Sequence, residues 1–230
     1  MNSGGFKFMN LYAILIHYQK SCNKRRIVLR NYYRIVHIMK LPRIPPMAVD
    51  IIQTALSAMD GAVFSELAAC PCCGGTVVGY DYKTRQFAVL LEHETHRAIQ
   101  VRVKRFRCRE CGRLCYADQP FYPDTRIGSP VIDLSVTLTA VMPATRAARV
   151  LSSVGIGVDR TSCLLFARRF QQEIRIADVF GMRLPFSVLA LSNLAAQNFE
   201  NEPLPGPEVL AACGFPSAYQ PVPVPDAQDK

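Results

Sequence analysis

The sequence predicts an α+β protein: a small antiparallel sheet, then a helical domain, with poorly ordered basic N-terminal and Pro-rich C-terminal segments. Three observations predict it. Two cysteine pairs, CPCCGG at 70–75 and CRECGR at 108–113, bracket a stretch whose apolar and polar residues alternate like those of strands. From 131 to 170 the apolar residues recur instead at helical spacing. Seven prolines between 203 and 225 then argue for an extended end.

In chain order, residues 1–46 form a basic leader, either a helical arm or sequence upstream of a true start at Met39 or Met47. Pro45 and Pro46 open a helix over 47–59, because a first helical turn has no use for the missing N–H, and Asp60-Gly61 ends it. Its apolar stripe is Ile51, Ile52, Ala55, Leu56 and Met59. A short helix near 64–68 leads to the first cysteine pair. Strands are expected over 76–82, 85–91 and 98–107, the last with Ile99, Val101 and Val103 on one face and Arg102 and Lys104 on the other. Residues 116–130 are a linker with Pro120, Pro123, Gly128 and Pro130, and helices follow at 131–141, 145–154, 161–176 and 186–199. The expected units are 1–46, 47–118, 119–180 and 181–230.

Cys70 with Cys73 and Cys108 with Cys111 offer four thiolates, enough to fill a tetrahedral structural zinc site and leave no position for a bound water. Gly74 and Gly112 follow the second cysteine of each pair, where the chain must turn tightly to aim N–H groups at sulfur. One zinc ion on a ribbon of strands is therefore expected, with Cys72 outside the ligand set and Cys115 a small core residue. His93 and His96 lack the spacing of a zinc hydrolase and are taken as exposed turn residues.

Charge is unevenly placed. The net +9 arises from residues 1–49, with nine Lys/Arg and no acid, since 50–230 hold eighteen of each sign. Locally, 97–113 carries seven basic residues against Glu110, and 146–175 carries six against Asp159 and Glu173. Such stripes suit a polyanion. No stretch nears the roughly 20 apolar residues of a membrane span, and 8–16 lacks the cleavage site of a signal peptide. Nine cysteines clustered in pairs fit a reducing compartment.

Residues 146–170, RAARVLSSVGIGVDRTSCLLFARRF, read as a helix-turn-helix. Ala147, Val150 and Leu151 form one inner face, 155–157 the break, Asp159 an N-cap, and Cys163, Phe166 and Phe170 the next inner face. Arg160, Thr161 and Ser162 would face base edges, with Arg146, Arg149, Arg168 and Arg169 nearer phosphate. On the ribbon, Arg102 and Lys104 join this DNA-binding set.

The order KRFRCRECGR, linker, GVDRTSCLLFARRF resembles the N-terminal DNA-binding region of prokaryotic insertion-sequence transposases, over roughly residues 68–172. The resemblance implies binding to the terminal repeats of a mobile element by an intracellular, nucleoid-associated prokaryotic protein. Such transposases continue into a domain with three metal-binding carboxylates, for which too few residues remain here, so no catalysis by this chain is expected. Leu164 and Leu165 stand where Tyr and Arg are usual, which points to packing against a second copy or the segment around Leu189. The expected partner is duplex DNA, with a homodimer allowed and neither a membrane nor a small-molecule substrate. Two alternatives stay open: a zinc-stabilised protein- or RNA-interaction module, and the DNA-binding subunit of a split transposase. In all of them Cys108→Ser is expected to lose zinc and fold.

Overall fold

A computed structural model of the chain describes residues 44–92, 95–198 and 202–215. The leader, His93 and the end beyond 215 lie outside the described residues. The described residues all belong to one compact unit.

Helix α1, Pro46–Ser57, starts at the proline pair and buries Ala48, Ile52, Ala55 and Leu56. Its exit is tied to the sheet. Gly61, at φ +80°, donates its N–H to the Gln100 carbonyl, and the Asp60 carboxylate accepts the N–H of Gln100. Beyond it there is no helix near 64–68. Strand β1, Val63–Phe64, instead pairs parallel with residues 102 and 103 of a neighbouring strand. Pairing there buries Phe64 to 1% exposure and satisfies the N–H of Arg102 with the Ala62 carbonyl.

The first two expected strands are one, β2 (Val77–Glu92), and the third is β3 (Thr95–Cys108), so that a single long hairpin carries most of the sheet. Bulges at Gly79/Asp81 and Gln86/Ala88 break the alternation of β2, and after the second both Phe87 and Ala88 point into the core. That double burial is what made the pattern look interrupted. His96 is exposed, as expected, but lies in β3 opposite Leu91 rather than in a turn. Strand β4, Leu114–Tyr116, pairs antiparallel with β3 on the side away from β2.

Three helices follow, α2 (Ser129–Val141), α3 (Ala144–Ser153) and α4 (Arg160–Arg169), whose buried residues share one core with the inner face of the hairpin. The turn between α3 and α4 hooks onto the outer edge of β2. Leu91 N–H reaches the Gly155 carbonyl at 2.8 Å, and Gly157 N–H reaches the Val89 carbonyl at 2.9 Å. Gly128 lies so close to Phe87 that a Cβ would fall 2.3 Å from the ring.

Two expectations fail beyond α4. The helix stops at Arg169 instead of continuing to 176, because Phe170 turns extended to bury its ring at 1% exposure. A hairpin follows, β5 (Ile176–Val179) and β6 (Met182–Pro185), turned by Phe180 and Gly181, both at positive φ. Helix α5 is Phe186–Gln197, and a further helix, α6 (Gly206–Ala212), lies within the segment expected to be extended. Proline is tolerated in its first turn, while Leu204 and Val209 are buried. One hydrophobic cluster runs from α1 through Ile99, Val101 and Val103 to α6, across the boundaries expected at 118/119 and 180/181. A second, small cluster of Cys70, Cys108 and Cys115 lies at the open end of the hairpin, joined to the first through Leu67 and Val77, which pack against both.

Candidate functional site

At that open end two tight loops face each other. In the first, Gly74 N–H bonds to the Cys70 carbonyl at 2.8 Å and Cys70 N–H to the Gly75 carbonyl at 2.9 Å. In the second, Cys108 N–H meets the Arg113 carbonyl at 2.9 Å. Gly74 and Gly112 sit at φ +71° and +69°, conformations that a Cβ would strain. The sulfurs of Cys70, Cys73, Cys108 and Cys111 converge so that all lie within 4.8 Å of one another, a group able to hold a metal ion. Cys70 and Cys108 are buried, while Cys73 and Cys111 face outward. Cys72 is exposed and outside the group, as the spacing predicted.

Backbone amides tune these thiols. N–H groups of Cys72 and then Cys73 point at the Cys70 sulfur and lower that thiol to about 6. The Cys111 amide acts the same way on Cys108, but burial with hydrogen bonds to Glu110 and Cys73 outweighs it and pushes Cys108 up to about 12. Cys70 thus gives up its proton readily while Cys108 holds its own, and a cation bound between them would favour both thiolates. One surrounding contact escaped the sequence reading. Glu110 accepts the Thr76 N–H, which holds its carboxyl below the ordinary range and latches the two loops together. It lies where a Cβ on Gly75 would be, 1.7 Å from Oε2. Cys115, buried as expected, places its sulfur 3.6 Å from that of Cys70.

The basic residues fall on two surfaces. On α3 and α4, Arg146, Arg149, Arg160, Thr161 and Arg168 are exposed, and Ser162 is half-buried. Asp159 caps α4 through the Ser162 N–H at 2.7 Å, as expected. Arg169 is already engaged, donating to the Pro123 carbonyl at 2.9 Å and to Asp124 at 3.1 Å. Leu165 is 55% exposed and so is not covered by the segment around Leu189. On the hairpin, Arg102 and Lys104 lie 5.0 and 6.0 Å from the centre of the Tyr82 ring. Arg85 looks equally basic in sequence but is structural. Its guanidinium lies 3.9 Å from the Phe121 ring centre and donates to Gln119 and to the Thr125 carbonyl.

A buried acid was also missed. Asp133 accepts from Tyr122 and Ser187 on the wall of a cavity of about 500 Å³, and burial raises its carboxyl to about 6 despite both hydroxyls. Its only sequence signal was a charge inside an apolar helix. Among the described residues no helix is long and apolar enough to cross a membrane. Comparison with family models, with curated proteins and with solved structures finds no match to this chain.

Proposed function

We propose that the protein is a zinc-stabilised duplex-DNA-binding protein, of the kind found at the N-terminus of insertion-sequence transposases, without catalytic activity of its own. Zinc suits the donor set. Four thiolates about 2.3 Å from a tetrahedral ion stand about 3.8 Å apart. The Cys70–Cys111 and Cys73–Cys108 sulfurs are 3.7 and 3.5 Å apart. With four sulfur ligands the ion is structural, and it would bind through these side chains alone.

The observation that carries the DNA reading is the free charge on α3 and α4. Among the described residues Arg149, Arg160 and Arg168 are exposed and outside any ion pair, and Arg160 and Thr161 open the capped first turn of α4. Cations left without acids on one helix pair favour phosphate.

Titration of the full chain with duplex DNA over a range of salt tests the reading. Binding should weaken steeply as salt rises, with a log–log slope of about −0.9 per phosphate contact. Arg160→Ala should lower affinity at unchanged metal content and melting temperature. Absence of duplex binding at low salt would sink the proposal, as would Arg160→Ala binding like the wild type.

A further inference from the structure

The register of the long hairpin collects a second set of residues. Tyr82 pairs with Lys104, Thr84 with Arg102 and Gln86 with Gln100, so these six side chains share one face. On the opposite face, at alternate positions, lie Val101 and Val103 of the core. The six therefore point away from the helical body. All are exposed except Lys104, which is half-buried, and Tyr82 retains 44% of its surface. Neither Arg102 nor Lys104 is in an ion pair among the described residues, and the nearby Asp81 is taken by Arg105. What remains is an exposed aromatic ring with two cations resting beside it and outside any ion pair, Lys104 also 5.3 Å from the centre of the Phe106 ring, with amide and hydroxyl donors along the same strip.

A duplex cannot use such a ring, since its bases expose only edges in the grooves. A single strand can: an unpaired base offers its face for stacking while its phosphates need cations. Arg102 and Lys104 are two residues apart, hence about 6.7 Å along the strand, and so engage successive phosphates of an extended chain. We propose that this face binds single-stranded nucleic acid, with a base on Tyr82 and adjoining phosphates on Arg102 and Lys104. The proposal moves those two cations from duplex to single strand. It does not depend on α4, and so stands or falls apart from the function proposed above.

The test uses the full chain and a fluorescein-labelled oligothymidylate of about 15 nucleotides, the upper range of a single site. Anisotropy is read at several salt concentrations. Tyr82→Ala should weaken binding roughly 5- to 150-fold and Tyr82→Phe should restore it, since the loss is one of stacking. Arg102→Ala with Lys104→Ala should reduce the salt slope by about 1.4, at about 0.7 per contact. Tyr82 and Arg102 are exposed and Lys104 is half-buried, so zinc content and melting temperature serve as controls for folding. The proposal is overturned if wild type fails to bind the oligothymidylate at low salt, or if a folded Tyr82→Ala binds like wild type. It is also overturned if Arg160→Ala abolishes binding of both this probe and duplex while Tyr82→Ala affects neither, an outcome that leaves the duplex reading intact. Oligouridylate in parallel tells whether the strand is DNA or RNA.

Discussion

Replacement of Cys108 by Ser tests what the metal does for this fold, and the two hydrophobic clusters alter the result the sequence suggests. The main core contains no cysteine of the four-sulfur group, whereas the cluster around those sulfurs has only Cys115, Leu67 and Val77 besides. Partial burial of one Leu and one Val contributes at most about 3–6 kcal/mol. Fixing the twelve residues of 70–75 and 108–113 costs on the order of 12–24 kcal/mol of backbone entropy. The shortfall is of the size of structural zinc binding, about 10–16 kcal/mol. Cys108→Ser should therefore lose zinc and melt both loops, yet leave α1 to α6 and the inner half of the hairpin folded. Hydrogen exchange reads this directly. Amides of Cys70, Gly74 and Cys108 should lose protection, while those of Arg102 and Gly157, bonded to Ala62 and Val89, should keep it. Collapse of the whole thermal transition would refute the separation of the two clusters; unchanged protection at Cys70 and Cys108 would refute the role of the metal.

Three more outcomes follow from single sites. Ala at Gly74 meets no atom within 4 Å, so its cost is the positive φ alone, about 1–2 kcal/mol, or roughly 5- to 30-fold in metal affinity by chelator competition. Equal affinity would show that the loop relaxes freely. Asp133, raised from 3.8 to about 6, favours the folded state fully below 3.8 and loses that contribution as pH rises through 6, about 3 kcal/mol in all. Denaturant unfolding should show this decline between pH 4 and 7 in wild type and not in Asp133→Asn; parallel pH profiles would show the carboxyl to be unperturbed. Arg85→Ala removes charged hydrogen bonds worth about 1.5–3 kcal/mol and should lower the melting temperature by about 3–12 °C. A duplex-affinity change without a melting shift would place Arg85 on the binding surface instead.

What could be read from the chain and what could not divide along a physical line. The cysteine ligand set, the glycines at positive φ, the Asp159 cap and the inner faces of α3 and α4 are all set by neighbours a few residues apart, and each was legible. Long-range partners were not. A helix near 64–68 lost to β1 because the edge of β3 offered hydrogen bonds that no local pattern announces. Phe170 ended α4 six or seven residues early by entering a pocket against Tyr122, 4.8 Å between ring centres. Arg85 and Arg102 are both basic residues in strands of the same hairpin, and only the cross-strand register tells that one is committed to the linker and the other is free.

The placement of the metal follows from that register. A hairpin of this length with only part of one face on a core is prone to slip, and a slip of one residue would carry Arg102 to the side of Val101 and Val103. Helical packing guards one end, where the α3–α4 turn bonds to Val89 and Leu91. The other end is guarded less, since Val78, Tyr80 and Tyr82 are exposed and only Phe106 and Val77 reach the core there. The sulfur group joins the residues before Val77 to those after Cys108, the last pair of the ladder, and so closes that end with little apolar burial. Tyr82, Lys104 and Arg102 lie between the two clamps. A core laid over their face would bury it; a metal held by the four sulfurs at the end of the strands would fix the register and leave that face open.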